Sequence, residues 1–424
     1  MARILIIGGS LGGLMAANLL LRAGHDVTVL EKAAGALDGR GAGIVTHSAL
    51  VAGLARCGLA PGAALGATDH KRVTLGAAGA QHHAVLGEMA MSQVLTSWGR
   101  LYQLLRGLLP DDAYRQGVTV ERFEQDATGV QVHAVSGSER SVWNADLAIA
   151  SDGIRSVVRQ QLFPQAQPDY AGYVAWRGVC EEALLSQPTL DAVFETFGFC
   201  LPHGEQLIGY PVAGPGQRTG VGERAYNFVW YRPAPQGPAL NALLTDDAGV
   251  LHPQGIAPNK VSSANVSVMR AKARRLLAGP FAEIVEKTAQ PFLQPIYDLN
   301  SEALVQGRVA LMGDAAFVAR PHVGMGVTKA MQDALALTDA ITHDGAVPQA
   351  LKAYEQERLR AGQQVVARGR RLGAYMQASA QHSGDTVARD AHSVMRDTAV
   401  DLDLVQPEPD PLPTSPPSLQ KETL

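Results

Sequence analysis

The feature that most constrains this chain is a run of glycines set between an apolar strand and an apolar helix, close to the first residue. Ile4-Leu5-Ile6-Ile7 reads as a buried strand, Leu14, Ala17, Leu20 and Leu21 recur at helical spacing, and Val27-Thr28-Val29-Leu30 reads as a second strand. Gly24 stands where a helix C-cap belongs. Between strand and helix lies Gly8-Gly9-Ser10-Leu11-Gly12-Gly13, a G-x-S-x-x-G form of the dinucleotide fingerprint in the context that motif requires. Gly8 allows a tight turn, and the second motif position lets backbone approach a pyrophosphate. Gly13 lets the helix pack closely on the sheet, with its N-terminus toward the phosphates. Ser10 departs mildly from the usual glycine, and its side chain is small. Glu31 closes the second strand about 20 residues on, where an acid accepts both ribose hydroxyls and repels a 2′-phosphate. The first site is therefore expected to hold FAD or NAD rather than NADP; the alternative is an unrelated glycine turn before a helix.

The rest of the composition narrows the class. At 424 residues the chain exceeds the length at which one core usually splits, so two interlocked domains and a tail are expected. Charged residues make up 18% and the net charge is −4, which argues against a nucleic-acid partner. Cys57, Cys180 and Cys200 lack CxxC spacing, so no disulfide framework or metal site is expected, only buried or incidental thiols. No apolar run approaches the roughly 18 residues of a membrane helix, and a cytoplasmic protein is expected.

Along the chain, residues 70–86 and 117–143 alternate as antiparallel strands do and read as insertions into a doubly wound sheet. Leu147-Ala148-Ile149-Ala150 is a buried strand leading into Ser151-Asp152-Gly153, and residues 170–232 suit a separate, mostly antiparallel domain. Val309-Ala310-Leu311-Met312 feeds Gly313-Asp314 and a loop, and a helix is expected from about Val327. Residues 346–380 read as charged helices. From Gln406 to Leu424 there are six prolines, a disordered composition. The arginines of residues 356–371 are interleaved with Glu357, which suits a solvated helix or a subunit contact better than a basic patch.

Two further segments separate FAD from NAD. Ser151-Asp152-Gly153-Ile154-Arg155-Ser156-Val157-Val158-Arg159 resembles the DG motif of the group A flavoprotein aromatic hydroxylases. Gly307-Arg308-Val309-Ala310-Leu311-Met312-Gly313-Asp314-Ala315-Ala316, continuing through Pro321, Gly324, Gly326 and Asp333-Ala334, resembles their GD motif. With the opening glycines these motifs stand in family order over residues 4–334. Gly39-Arg40-Gly41-Ala42-Gly43-Ile44-Val45, Tyr170 to Val179, and Arg320-Pro321-His322 are similar to the subgroup of pyridine hydroxylases. Where the family often places a histidine after the GD-Ala-Ala, this chain has Phe317, so a role resting on that histidine does not transfer.

The resemblance implies an α/β fold in which a doubly wound, Rossmann-like FAD-binding domain is interleaved with a mostly antiparallel β-sheet substrate domain and followed by C-terminal helices. The expected division assigns 1–69, 98–165 and 296–345 to the FAD-binding domain and 70–97 to a substrate-domain hairpin. It assigns 166–295 to the substrate domain, 346–405 to C-terminal helices and 406–424 to the tail. The implied cofactor set is Gly8, Ser10, Leu11, Gly13, Glu31, Lys32, Arg40, Arg100, Asp152, Asp314, Gly324, Gly326 and Val327. Asp314 would hold the ribityl chain, since a carboxylate at a strand end accepts hydrogen bonds from sugar-alcohol hydroxyls. Backbone N–H groups near Gly324-Met325-Gly326 would face the flavin N1–C2 carbonyl region. Arg40 matches a family arginine near the nicotinamide entry, and Arg100 matches a residue near FAD or is a solvated helix charge.

The implied reaction takes hydride from transient NADH or NADPH and transfers one atom of O2 to a small aromatic or N-heteroaromatic ring. His322, His47 and Tyr210 are the candidates for orienting or deprotonating a ring hydroxyl, each with ordinary packing as the alternative. A homodimer is the family habit. None of the tyrosines has a lysine four residues on, as a short-chain dehydrogenase needs, and the tryptophans at 98, 143, 176 and 230 do not allow the Trp-x-Trp-x-Ile-Pro string of a flavin halogenase. An epoxidase or other oxygenase on the same fold, and a non-catalytic flavin sensor, stay open.

Overall fold

A computed structural model describes residues 1–35, 37, 43–60, 65–77, 84–344, 348–376 and 390–401. Arg40 and the stretch from residue 406 lie outside the described residues. The first unit forms as its pattern dictates: β1 (Arg3–Ile7), α1 (Leu11–Arg22) and β2 (Asp26–Glu31). Gly24, at φ 86°, ends α1 by donating to the Leu21 carbonyl while His25 N–H reaches Leu20. Then come β3 (Gly43–Val45), α2 (Ser48–Arg56), the hairpin β4 (Ala67–Leu75) and β5 (Val85–Ser97), and α3 (Trp98–Leu108). The short β6 (Tyr114–Gln116) precedes β7 (Thr119–Gln125), β8 (Val130–Ser136) and β9 (Glu139–Ala145), followed by β10 (Leu147–Ala150) and α4 (Val157–Leu162). The long strands are β11 (Asp169–Glu181), β12 (Thr196–Cys200), β13 (Gln206–Val212), β14 (Ala225–Pro233) and β15 (Phe292–Asn300). Last come β16 (Val305–Gln306), β17 (Val309–Leu311) and β18 (Phe317–Val318), with helices Gly326–Asp344, Pro348–Gly373 and Ala391–Asp397.

Among the described residues one sheet has the order β16-β17-β10-β1-β2-β6. Its inner strands pair in parallel and are buried on both faces, which is why β1, β10 and β17 are almost uninterrupted runs of Ile, Leu, Val and Ala. A second sheet runs β18-β15-β11-β14-β13-β12-β4-β5-β3 and is antiparallel except where β12 meets β4. The hairpin read at 70–86 thus belongs to the second sheet, whereas β7-β8-β9 form a small sheet of their own. Two strands outside the expected substrate segments, β3 and β18, also join the second sheet's edges.

The period of two along β14 divides this second sheet. Phe228 and Trp230 pack on one face with Trp176, Leu207 and Phe281, beneath the helices Ser263–Leu276 and Gly279–Lys287. Val229 and Tyr231 point the other way, with Ile208 and Tyr210. Cys57, Cys180 and Cys200 are buried and unpaired. No helix among the described residues is long and apolar enough to cross a membrane.

Candidate active site

The glycine turn between β1 and α1 is sterically exclusive. Gly8 sits at φ 103°, and a Cβ there would lie 2.3 Å from the Ser151 carbonyl; one on Gly13 would lie 1.9 Å from the Gly8 carbonyl. Ser10 occupies the N-cap of α1 and lines a cavity of about 400 Å³, with Gly8, Glu31, Lys32, Asp152 and Arg155 among its other walls. Leu11 and Gly13 lie behind it in the helix-sheet packing. Glu31 is locked in place: its Oε2 accepts from Gly9 N–H at 2.8 Å and its Oε1 from Ala33 N–H at 2.8 Å. Asp152 accepts from Val157 N–H at the start of α4 through Oδ2, while its buried Oδ1 has no hydrogen-bond partner among the described residues. Burial pushes the Asp152 carboxyl up, against the hydrogen bonds at that helix end.

Trp98, stacked on Tyr102 at 5.0 Å, lines both this cavity and a second one of about 350 Å³ between the two sheets. Asp314, Gly324, Gly326 and Val327 open onto the second cavity, the last two as the beginning of the helix Gly326–Asp344. Asp314 is exposed to the cleft, between the buried Gly313 and Ala315. Burial raises its carboxyl, Lys329 opposes this and Asp333 adds to it. The turn that presents Asp314 is held from behind. Gly313, at φ 59°, donates its N–H to Asp333 Oδ2 at 3.0 Å, and its carbonyl accepts from Lys329 Nζ at 2.8 Å. Arg358 Nε closes the group on Asp333 Oδ1 at 2.9 Å. This corrects one expectation: Arg358 is buried in a charge network and does not belong to a solvated helix face. Arg159, the last residue of the DG segment, joins that segment to the GD turn by donating to the Ala315 carbonyl at 3.0 Å.

Tyr210 lines the second cavity, stacked on Phe197 at 5.0 Å, and a Cβ on Gly43 would come within 2.4 Å of its ring. Burial pushes its phenol up to about 12. The two histidines stand behind the walls. His322 packs on Tyr231 with ring centroids 4.1 Å apart, and its Nε2 is 3.0 Å from the Tyr173 hydroxyl. His47 places Nδ1 2.8 Å from the Thr328 hydroxyl, one residue after Val327. Neither is among the lining residues, and neither is Arg100, which is half-buried in the first turn of α3.

Sequence reasoning passed over several residues of this cavity. Arg177 and Tyr231 line it from β11 and β14, and strand alternation could have found them once Val229 was known to face inward. Ala399 had no local signal. It reaches the cavity at φ 51°, donates its N–H to the His322 carbonyl at 2.9 Å, and lies over Gly324. Arg72, fully buried, holds this segment by donating to the carbonyls of Met395 and Thr398 at 2.5 Å each and of Ala399 at 3.0 Å. Its guanidinium lies 4.7 Å over the Phe197 ring.

Two cavities that share the Trp98 wall suit an elongated cofactor: a glycine turn with a ribose-competent acid at one end, and a carboxylate on a turn beside a helix start at the other. The unpartnered Asp152 oxygen and the glycines that no Cβ can replace fit FAD in this frame. Residues 1–231 and 294–369 match the FAD binding domain family, and residues 170–298 match an FAD binding domain-like family. The chain is 31% identical to 2,6-dihydroxypyridine 3-monooxygenase of Paenarthrobacter nicotinovorans, over 88% of this chain and 91% of that protein. It is 26% identical to 6-hydroxynicotinate 3-monooxygenase of Bordetella bronchiseptica, over 84% and 87%. The solved 2,6-dihydroxypyridine-3-hydroxylase from Arthrobacter nicotinovorans superposes with a TM-score of 0.83 at 28% identity, covering 93% of this chain and 96% of that one. Since these matches run through both sheets and nearly the full length of each relative, the chain belongs to the FAD binding domain family and is an FAD-dependent aromatic monooxygenase.

Proposed function

We propose that this monooxygenase hydroxylates a small hydroxylated pyridine, with NADH or NADPH as transient reductant and O2 as oxidant. The observation that supports the reading most directly is the second cavity. It has a volume of about 350 Å³, is walled in part by Ile44, Phe197, Ile208 and Val323, and has polar side chains on the β11-β14-β13 wall. A small ring bearing a few oxygens suits a cavity of that size with a few polar groups on one wall. The relatives named for dihydroxypyridine and hydroxynicotinate are the second support.

FAD, when bound, supplies the reduction and oxygen-activating chemistry. The chain's own groups do the rest. Glu31 would accept the ribose hydroxyls, Asp314 those of the ribityl chain, and the backbone N–H groups at Gly326 and Val327 would donate to the flavin ring's carbonyl region. Tyr210, with its phenol raised by burial, stays protonated at neutral pH and would donate a hydrogen bond to a ring oxygen rather than remove a proton. His322 and His47 would act as positioning residues, His322 through Tyr231 and His47 through Thr328 at the start of the flavin-facing helix. Arg100 would contact the cofactor from α3. The apolar residues Ile44, Phe197, Ile208 and Val323 would limit water at the reacting carbon.

The test is oxidation of NADH and of NADPH by FAD-loaded protein across hydroxypyridines, hydroxynicotinates and phenols, with product mass recorded. Stimulation by a hydroxypyridine with gain of one oxygen atom is expected. Stimulation confined to phenols would overturn the pyridine reading, and no stimulation by any ring would favour a sensor. Sedimentation of the loaded protein tests the homodimer expected from the family.

A further inference from the structure

We infer that Arg177 makes the second cavity a receptor for an anionic substrate, with the hydroxyls of Tyr210 and Tyr231 completing the binding site. This rests on the hydroxylase reading and adds the charge of the molecule accepted. Arg177 on β11 lies opposite Val229 on β14, which lies opposite Ile208 on β13. Two residues further along the same face stand Tyr231 on β14 and, in the other direction, Tyr210 on β13. All of these side chains line the cavity.

The cation there is under-compensated. Arg177 Nη1 donates to Gln294 Oε1 at 2.8 Å, but its buried Nε–H has no acceptor among the described residues, and no carboxylate of a described residue forms an ion pair with it. Asp314 shares the cavity but forms no ion pair with Arg177. A guanidinium keeps its charge and offers five N–H donors, so a cavity containing one with an unmet donor favours a ligand that brings a negative oxygen. The tyrosines add neutral donors. Burial pushes Tyr210 up and Tyr231 further up, Arg177 opposing both, and neither phenol is hydrogen-bonded to a described residue. One charge and two hydroxyls on one wall suit either a deprotonated ring hydroxyl or a ring carboxylate, which share the anionic oxygen.

The test is titration of the FAD-loaded protein, read by the change in flavin absorbance, with two probe pairs. The first is ionised 2,6-dihydroxypyridine against neutral 2,6-diaminopyridine; the second is nicotinate against nicotinamide. Wild type is expected to bind the anionic member of at least one pair about 10- to 100-fold more tightly. Preference in the first pair alone identifies a ring oxyanion, and in the second alone a carboxylate. Arg177→Gln should reduce the preference to about twofold with flavin content unchanged, and Arg177→Lys should restore part of it. If Arg177→Gln does not load flavin, Tyr231→Phe is titrated instead and should weaken the anion more than the neutral probe. Equal binding of both members of both pairs by wild type, or a preference that survives Arg177→Gln, overturns the inference. The hydroxylase reading fails differently: no ring compound then gains oxygen, whatever the binding preference.

Discussion

Replacing Asp333 by alanine should damage the flavin site without touching the flavin. The Asp333 carboxylate receives Gly313 N–H at 3.0 Å and Arg358 Nε at 2.9 Å, and lies 3.7 Å from Lys329 Nζ, all in buried surroundings. Removing one partner of a buried ion pair costs about 3–5 kcal/mol because the other charge is left uncompensated. Here two cations and the Gly313 amide lose the same acceptor, so the upper part of that range applies, about 4–5 kcal/mol. That is a large share of a stability of about 5–15 kcal/mol. The loss is concentrated at the turn carrying Asp314, so flavin should be released early in a urea titration, before the bulk of the fold. The assay is urea denaturation of FAD-loaded protein, followed both by flavin fluorescence and by far-UV circular dichroism. Asp333→Asn keeps an acceptor for Gly313 and should fall between wild type and alanine. An Asp333→Ala protein that loses less than about 1 kcal/mol and purifies with full flavin would refute the claim that this carboxylate anchors the turn.

Other substitutions probe the site from different sides. Asp314→Ala should purify with little FAD; full flavin occupancy would remove Asp314 from the cofactor set. His322→Ala should keep FAD but lower substrate-stimulated turnover, since Tyr231 loses the ring packed 4.1 Å away; unchanged coupled turnover would make His322 purely structural. Ala399→Val should raise KM for bulky rings more than for small ones, because the added methyls enter the cavity wall; equal KM changes would place residue 399 outside the substrate's reach. Asp69 gives a pH signature. Burial lifts its carboxyl to about 6, against the pull of Arg72, so the folded state holds that proton more tightly than the unfolded chain. Its stabilising contribution is full near pH 4 and below and is lost as pH rises through about 6. Asp69→Asn should flatten the stability-against-pH curve across that window, and an unchanged slope would count against it.

Much of the frame was legible because local pattern and tertiary role coincide there. The Ile4–Ile7 run, the glycine turn and Glu31 are adjacent in sequence and adjacent in space, so one stretch of chain contains both the fold signal and the binding signal. Asp314 stood out as a candidate for the same reason, at the end of an apolar strand. The Asp333–Lys329–Arg358 support was only half visible. Asp333 fell inside a recognised motif, but its partner Arg358 lies 25 residues on, within a helix whose charges look solvated until the packing is known. The histidines drew two readings from sequence, a role at the ring and ordinary packing. Their chemistry invites a catalytic role from sequence, while burial and the Tyr231 and Thr328 contacts set them behind the cavity wall. Ala399 carried no signal at all, since an alanine beside a cavity reads like any other and its location depends on Arg72, more than 300 residues earlier.

The strap formed by Met395–Ala399 also sets a schedule for making the enzyme. A ribosome emits the glycine turn first and the Asp314 turn much later, and domains tend to fold as they emerge. Ala399 comes later still, so a nascent chain can contain both turns while the wall over Gly324 is missing. A chain arrested between the two would have its second cavity open on that side. The order of synthesis therefore makes the wall over Gly324 a late addition to the cavity, produced after both turns.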